Sequence, residues 1–374
     1  MSGKQAKRFC PADRDSQENF SLRPFLTVGV TTYNRHDLLK QTLSSITEQS
    51  FSDLEVIVGN DYPQEALSGE VLGIVDPRIR FVNNPQTLGE LGNMNSLLRA
   101  SRGRYFTWQF DDDLYASGFF QAVYDALVKF NFPPCVFTSY EIIRGHSFPH
   151  RGESLSGQVR IFSGRHFLRM YFQGLLKAMG CSGVFDAKYL KRIGGVERLC
   201  DGPIAIFSEY LLLIKAGLVE NVAHIDVPLV LYRVHEESRG ASNTDLRLWK
   251  CAGENLICKS IGALKSPKLQ EDFHDNLLSI LKLTFHKLVS KTLAARGFVQ
   301  AREIYSYLFS LKQHIEPLRG SNLYWAALRS LGKAGIWLVW IIVVAKLTPK
   351  APLALIRLAL TTRSLLLRRR YFWQ

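Results

Sequence analysis

Residues 25–31 form a short apolar, β-branched run that ends in polar residues, the pattern of a strand buried on both faces. Residues 36–49 follow with Leu38, Leu39, Thr42, Leu43 and Ile46 at helical spacing, and residues 54–59 give a second strand. Strand, helix and strand in this order predict a right-handed βαβ opening. Further units follow: a strand at 79–82, a helix at 90–101, a strand at 104–110 and a helix at about 117–130. Beyond them come a strand and loop over 134–150, a helix at 164–176, a strand at 180–185, short helices at 189–193 and 208–215, and an extended Val-rich stretch at 222–234. After Ser242 the pattern turns to helices at about 246–261, 268–295 and 299–313. Such alternation predicts an α/β fold with an open sheet and ligands at the carboxyl ends of the strands, followed by a C-terminal helical region.

Composition adds bounds. An apolar content of 47% and a charged content of 21% belong to a folded chain of enzyme size. Six scattered cysteines, with no CxxC pair and no His at metal-ligand spacing, read as reduced packing thiols. The net charge of +14 calls for an anionic partner. After Glu316 there is no Asp or Glu, while Arg and Lys accumulate among apolar residues, which favours a membrane surface over nucleic acid.

Three polar clusters sit at predicted strand ends: Thr31-Thr32-Tyr33-Asn34-Arg35, Asn60-Asp61 and Asp111-Asp112-Asp113. Three consecutive carboxylates repel one another and favour a cation, and Mg²⁺ or Mn²⁺ takes one or two carboxylates, with water and phosphates completing its shell. On the triplet alone, an acidic loop whose last member caps the next helix is an equal reading. Asn and Asp are also ordinary turn residues, so what favours a site is the recurrence of such clusters at successive strand ends.

In order, Thr31-Thr32-Tyr33-Asn34-Arg35, Asn60-Asp61, Gly89 to Asn95, Arg102-Gly103-Arg104-Tyr105, the acidic triplet and the closing Tyr232-Arg233-Val234-His235 resemble the family 2 inverting glycosyltransferases. The resemblance covers about residues 25–238. It implies a GT-A fold, Rossmann-like, with a mostly parallel open sheet and flanking helices. It also implies that Thr31 and Tyr33 grip the nucleotide base, that Asp61 or Asn60 accepts a hydrogen bond from it, and that Arg35, Gly89, Asn95 and Arg233 contact ribose or phosphate. Asp112 falls at the metal-binding position for Mn²⁺ or Mg²⁺, with Asp111 assisting, Asp113 a helix cap and His235 completing the shell. Phe110 stands where many members carry a first acid.

The family's catalytic base is an acid at a helix start after a Gly-Gly segment. Gly194-Gly195 followed by Ser208-Glu209 makes Glu209 the candidate, with Asp201 in reserve. Ser208 replaces the usual first acid of that pair, and a first-turn Glu is also a common partner of the helix dipole.

The expected organisation is a flexible segment at 1–23, a glycosyltransferase domain at 24–240, a helical subdomain at 241–316 and basic apolar helices at 317–374. The apolar run 336–345 is too short to span a bilayer. Interfacial helices on an anionic leaflet, with Trp337, Trp340 and Trp373 near the headgroups, compete with a helix packed on the domain. The expected activity is transfer of a sugar from a nucleoside diphosphate donor to a glycan or lipid-linked glycan, in the cytoplasm and peripheral on a membrane. A related nucleotidyltransferase and an inactive sugar-nucleotide-binding scaffold are the alternatives.

Overall fold

The computed structural model describes residues 23–144, 157–202, 204–235, 243–296 and 301–347. The chain opens with β1 (Leu26–Thr32), α1 (His36–Thr47), β2 (Leu54–Asn60), a single turn α2 (Gly69–Leu72) and β3 (Ile79–Asn83). Then come α3 (Glu90–Ala100), β4 (Tyr105–Phe110), β5 (Leu114–Tyr115), α4 (Phe119–Lys129) and β6 (Cys135–Arg144). Strand β1 and strand β2 are buried at every position, as uninterrupted apolar runs require when helices cover both faces. Helix α1 turns Leu38, Leu39, Thr42, Leu43 and Ile46 inward, as the spacing predicted.

After β6 follow β7 (Val159–Ser163), α5 (Gly164–Phe172), β8 (Val184–Asp186), α6 (Ala187–Arg192), α7 (Ser208–Ala216) and the long β9 (Asn221–Val234). The nine strands form one sheet in the order β3-β2-β1-β4-β8-β6-β9-β5, with β7 also on β9. The first four are parallel, as the alternation implied. The other half is mixed: β8 is antiparallel to both β4 and β6, and β5 and β7 are antiparallel to β9. The sheet is therefore less parallel than expected. Strand β5, with two residues, is too short for an alternation to register in sequence, whereas β8 falls at the end of the predicted 180–185 strand.

Of the predicted strand and loop over 134–150, residues 145–150 lie outside the described residues, and so do the first 22 and residues 236–242 around the expected boundary at 240–241. The helical region comprises α8 (Leu246–Leu264), α9 (Phe273–Arg296), α10 (Ala301–Ser310), the short α11 (Lys312–Ile315) and α12 (Asn322–Leu347). It shares a core with the α/β region, because Ile204, Ile206, Phe207 and Leu211 pack in one cluster with Trp249, Phe285 and Leu338. Trp337, expected near headgroups, is only partly buried and packs against this core with the Lys282 ammonium 6.0 Å from its ring. Described residues contain no helix long and apolar enough to cross a membrane.

Candidate active site

The carboxyl ends of β1, β2 and β4 lie side by side where the order reverses, the place at which open α/β sheets bind ligands. An open pocket of about 480 Å³ forms there. Its wall includes Thr31, Tyr33, Arg35, Asp61, Gly89, Asp111, Asp112 and Glu209, residues drawn from segments nearly 180 positions apart.

On the β2 side, Asp61 accepts hydrogen bonds from the Leu88 and Gly89 amides at 2.8 and 2.9 Å and from Asn84 Nδ2 at 3.0 Å. These bonds fold the 84–89 turn over the strand end. Gly89 has φ +74°, a left-handed conformation that glycine adopts without strain, and it opens α3 toward the pocket. Tyr33 packs edge-on against Tyr62 with ring centroids 5.3 Å apart.

Three residues expected at the nucleotide, Asn60, Asn95 and Arg233, do not line the pocket. Asn60 turns its amide to the Glu65 carbonyl at 2.7 Å and Asn83 Oδ1 at 2.9 Å, which fixes the following loop. Asn95 clamps the Val196 backbone through its amide and carbonyl, at 2.8 and 3.1 Å. Asn93, two residues earlier, does line the pocket and donates to the Gly59 carbonyl at 2.7 Å. Helical geometry carried the signal: Asn93 shares a face with Glu90 and Leu97, and Asn95 lies on the far side.

The acidic triplet is divided among three tasks. Asp111 Oδ2 accepts from Thr32 Oγ1 at 2.8 Å and its Oδ1 from Arg35 at 3.2 Å. Burial first, and then the Asp112 charge, push the Asp111 pKa up to about 6, against the pull of Arg35. Asp113 is not a helix cap, since α4 starts at Phe119 behind Gly118. Its side chain is fully buried and accepts the Arg233 amide of β9 at 2.9 Å. Burial and the neighbouring Asp112 charge raise its pKa well above the carboxylate range, which favours the protonated form. Arg233 is itself 1% exposed, lies outside the pocket lining and bonds Gln41 at 2.8 Å.

Asp112 faces the pocket. Its Oδ2 is 3.0 Å from Arg35 Nη1 and 3.1 Å from His235 Nε2. Two ligands at right angles on one octahedral ion, each about 2.1 Å away, lie about 3 Å apart, so the Asp112 and His235 pair fits a divalent cation. Among the described residues no group of three or more His, Cys, Asp and Glu side chains converges. Among these residues Asp112 and His235 are the two that would hold such an ion, and water and phosphate oxygens would supply the rest. Arg35 neutralises the same carboxylate.

Glu209 lines the same pocket from the first turn of α7. Desolvation raises its pKa, opposed by the charge of Lys287 and by a hydrogen bond from the Gly180 amide. Phe207, which precedes α7, holds φ +62°, an outlier for a bulky residue that costs about 1–3 kcal/mol and fixes how the helix begins. Ser208 is buried and donates to the Glu197 carbonyl at 2.8 Å, so it braces the helix start. A Cβ on Gly180 would meet the Glu209 carbonyl oxygen at 2.1 Å. Gly180→Ala should displace Glu209 and lower turnover by up to about 10²-fold. Initial rates and nucleotide titration would check this, with nucleotide affinity expected to hold. Asp201 is exposed and absent from the pocket lining.

Trp249 and Lys287, from α8 and α9, also line the pocket. No motif marked them. In α9, however, Leu277, Ile280, Thr284, Lys287 and Lys291 follow the three-four spacing of a buried stripe, and lysines on such a stripe were a readable signal.

Residues 27–194 match the model of glycosyl transferase family 2. The match covers under half of the 374 residues, and over that span the chain is similar to the family. Among curated relatives, a GalNAc(5)-diNAcBac-PP-undecaprenol beta-1,3-glucosyltransferase of Campylobacter jejuni is 38% identical over 25% of this chain and 32% of its own length. The UDP-Glc:alpha-D-GlcNAc-diphosphoundecaprenol beta-1,3-glucosyltransferase WfgD of Escherichia coli is 24% identical over 33% of this chain and 48% of its own. The chain thus spans less than half the length of either relative. Crystal structures of S. aureus TarS residues 1–349 superpose with a TM-score of 0.60 at 12% identity, covering 87% of this chain and 92% of that one. A TarS complex with UDP-GlcNAc gives 0.57 at 13% identity, over 78% and 80% of the two chains. The fold is GT-A, and the TarS match extends well past the family domain into the helices.

Proposed function

We propose that the protein is a metal-dependent inverting glycosyltransferase that moves a sugar from a nucleoside diphosphate to a hydroxyl of a lipid-linked glycan. The observation that carries this reading is that Asp111, Asp112 and the desolvated Glu209 line a single pocket. The base would lie by Thr31, Tyr33 and Asp61, and the diphosphate by Arg35 and Asp112. Asp112 and His235 would hold Mn²⁺ or Mg²⁺, which when bound supplies charge stabilisation for the departing diphosphate.

Glu209 takes the proton of the acceptor hydroxyl as that oxygen bonds to the anomeric carbon. The bond from that carbon to the phosphate oxygen breaks, and its electron pair leaves with the diphosphate. Attack opposite the leaving group inverts the anomeric centre. A raised pKa suits Glu209 to this task, because a base works best when its pKa approaches the working pH. The lipid-linked acceptor rests on the names of the two relatives.

Turnover tests the reading: incubation with nucleotide sugars and a lipid-linked acceptor should release nucleoside diphosphate and yield a product of inverted anomeric configuration by NMR. A retained configuration would sink the proposed displacement.

Membrane attachment belongs to the same proposal. Trp325, Ile336 and Val339 are exposed on roughly one side of α12, beside exposed Arg329 and Lys333. Sedimentation with phosphatidylglycerol vesicles should carry down more protein than with phosphatidylcholine vesicles. Equal binding to the two would remove the electrostatic part of the attachment.

A further inference from the structure

We infer that Glu90 is a positioning residue for the proposed base: together with Asn95 it clamps to α3 the irregular segment that leads into Glu209. The inference rests on the functional reading above and adds a residue to it.

Between Arg192, the end of α6, and Ser208, the start of α7, the described residues form neither helix nor strand. Ile204, Ala205, Ile206 and Phe207 of this segment nevertheless line the pocket. A wall without a regular ladder of hydrogen bonds needs other anchors, because backbone amides away from water are paired. Helix α3 supplies two. Asn95 holds the Val196 backbone at the near end, so closely that a Cβ on Gly195 would collide with Asn95 Oδ1. At the far end the Ala205 amide donates to Glu90 Oε2 at 3.1 Å. A carboxylate acceptor makes that bond stronger than a neutral one.

The second anchor sits where a shift would reach the base. Ala205 is followed at once by Ile206 and Phe207, which pack in the shared core with Trp249, and then by the first turn of α7. Burial first, and then the charges of Glu209 and Glu90, raise the Cys181 pKa well above its ordinary value, so both carboxylates lie within reach of one buried thiol. Glu90 also follows Gly89 directly, and the Gly89 amide donates to Asp61 at 2.9 Å. One helix start therefore carries both the turn folded over Asp61 and the anchor of the segment before Glu209.

The bland alternative is that Glu90 only complements the dipole of α3, as first-turn acids do. Two substitutions in the full chain separate the readings. Glu90→Gln loses the charge but keeps a carbonyl that can accept from the Ala205 amide, whereas Glu90→Ala loses both. Hydrogen–deuterium exchange over residues 204–207 should speed up in Glu90→Ala and keep the unsubstituted rate in Glu90→Gln. UDP release from UDP-glucose with Mn²⁺ should show kcat lowered by about tenfold or more in Glu90→Ala, the scale of a displaced reacting group, and most of it regained in Glu90→Gln. Calorimetric affinity for UDP with Mn²⁺ should be the same in all three proteins. Unchanged exchange or unchanged kcat in Glu90→Ala overturns the inference. So does a Glu90→Gln as impaired as Glu90→Ala, or a loss of UDP affinity that matches the loss of kcat. If the unsubstituted protein neither binds UDP nor releases it from UDP-glucose, the functional reading falls instead, and exchange over residues 204–207 still decides the clamp.

Discussion

Glu209→Gln should bind donor as the unsubstituted protein does and transfer sugar about 10² to 10⁴ times more slowly, the usual worth of a positioned base. The amide keeps the size of the side chain and can still accept from the Gly180 amide, but it cannot take a proton. Donor affinity should hold because Asp61, Asp111 and Asp112, which line the pocket, are untouched by the substitution.

The pH profile gives a second readout. Desolvation lifts the Glu209 pKa above the ordinary carboxylate value, so the unprotonated, active form accumulates only as pH rises through that raised pKa. Activity should therefore climb with pH along a limb displaced to higher pH than a free Glu would give, and that limb should vanish in the variant. Stability should not fall. A carboxylate whose folded pKa is raised costs the fold free energy once pH exceeds it, and Gln carries no such charge. Transfer retained at full rate would move the base elsewhere, although the exposed Asp201 is poorly placed to replace it.

Asp112→Ala should remove the Mn²⁺-dependent part of nucleoside diphosphate binding. Loss of residues that merely support a ligand costs about 10- to 100-fold in metal affinity, so loss of a direct ligand should cost at least that. Substitution would remove the Asp112 partner of His235 and release Arg35 from one of its two carboxylates. Some metal-independent affinity should remain, since Arg35 would still face the phosphates. Calorimetry with and without Mn²⁺ separates the two parts. An identical Mn²⁺ increment in variant and unsubstituted protein would sink the metal assignment.

The triplet also marks where sequence reading stops. Its place after β4 was legible because a strand followed by a polar cluster is a local pattern. The inward turn of Asp113 was not, because it depends on a hydrogen bond to Arg233, 120 positions later. Local propensity pointed to a helix cap, and a tertiary contact decided otherwise. Asn60 shows the same limit: adjacent to Asp61 in sequence, it serves the loop rather than the pocket. The parallel half of the sheet could be read from β1, β2 and β4, whose apolar runs are long. In the mixed half β6, β8 and β9 were read as strands too, but β5, β7 and the antiparallel pairing were not, since neighbouring strands decide them. Lys287 was marked by no motif, only by its place on the buried stripe of α9. It lies beyond the domain to which the motifs belong, and only the core shared by α7, α8 and α9 brings it to the pocket.

Every part of this account depends on one event, the binding of a nucleoside diphosphate with a divalent cation between Asp61 and Asp112. The most direct measurement is a thermal-shift series of nucleoside diphosphates and their sugars, each with Mn²⁺ and with EDTA. A ligand that binds only the folded state at about 100 times its Kd adds about 2.7 kcal/mol of stability, enough for a clear shift. The account predicts that one nucleotide series raises the melting temperature with Mn²⁺ and much less with EDTA. No shift with any nucleotide, or the same shift with and without metal, would contradict it.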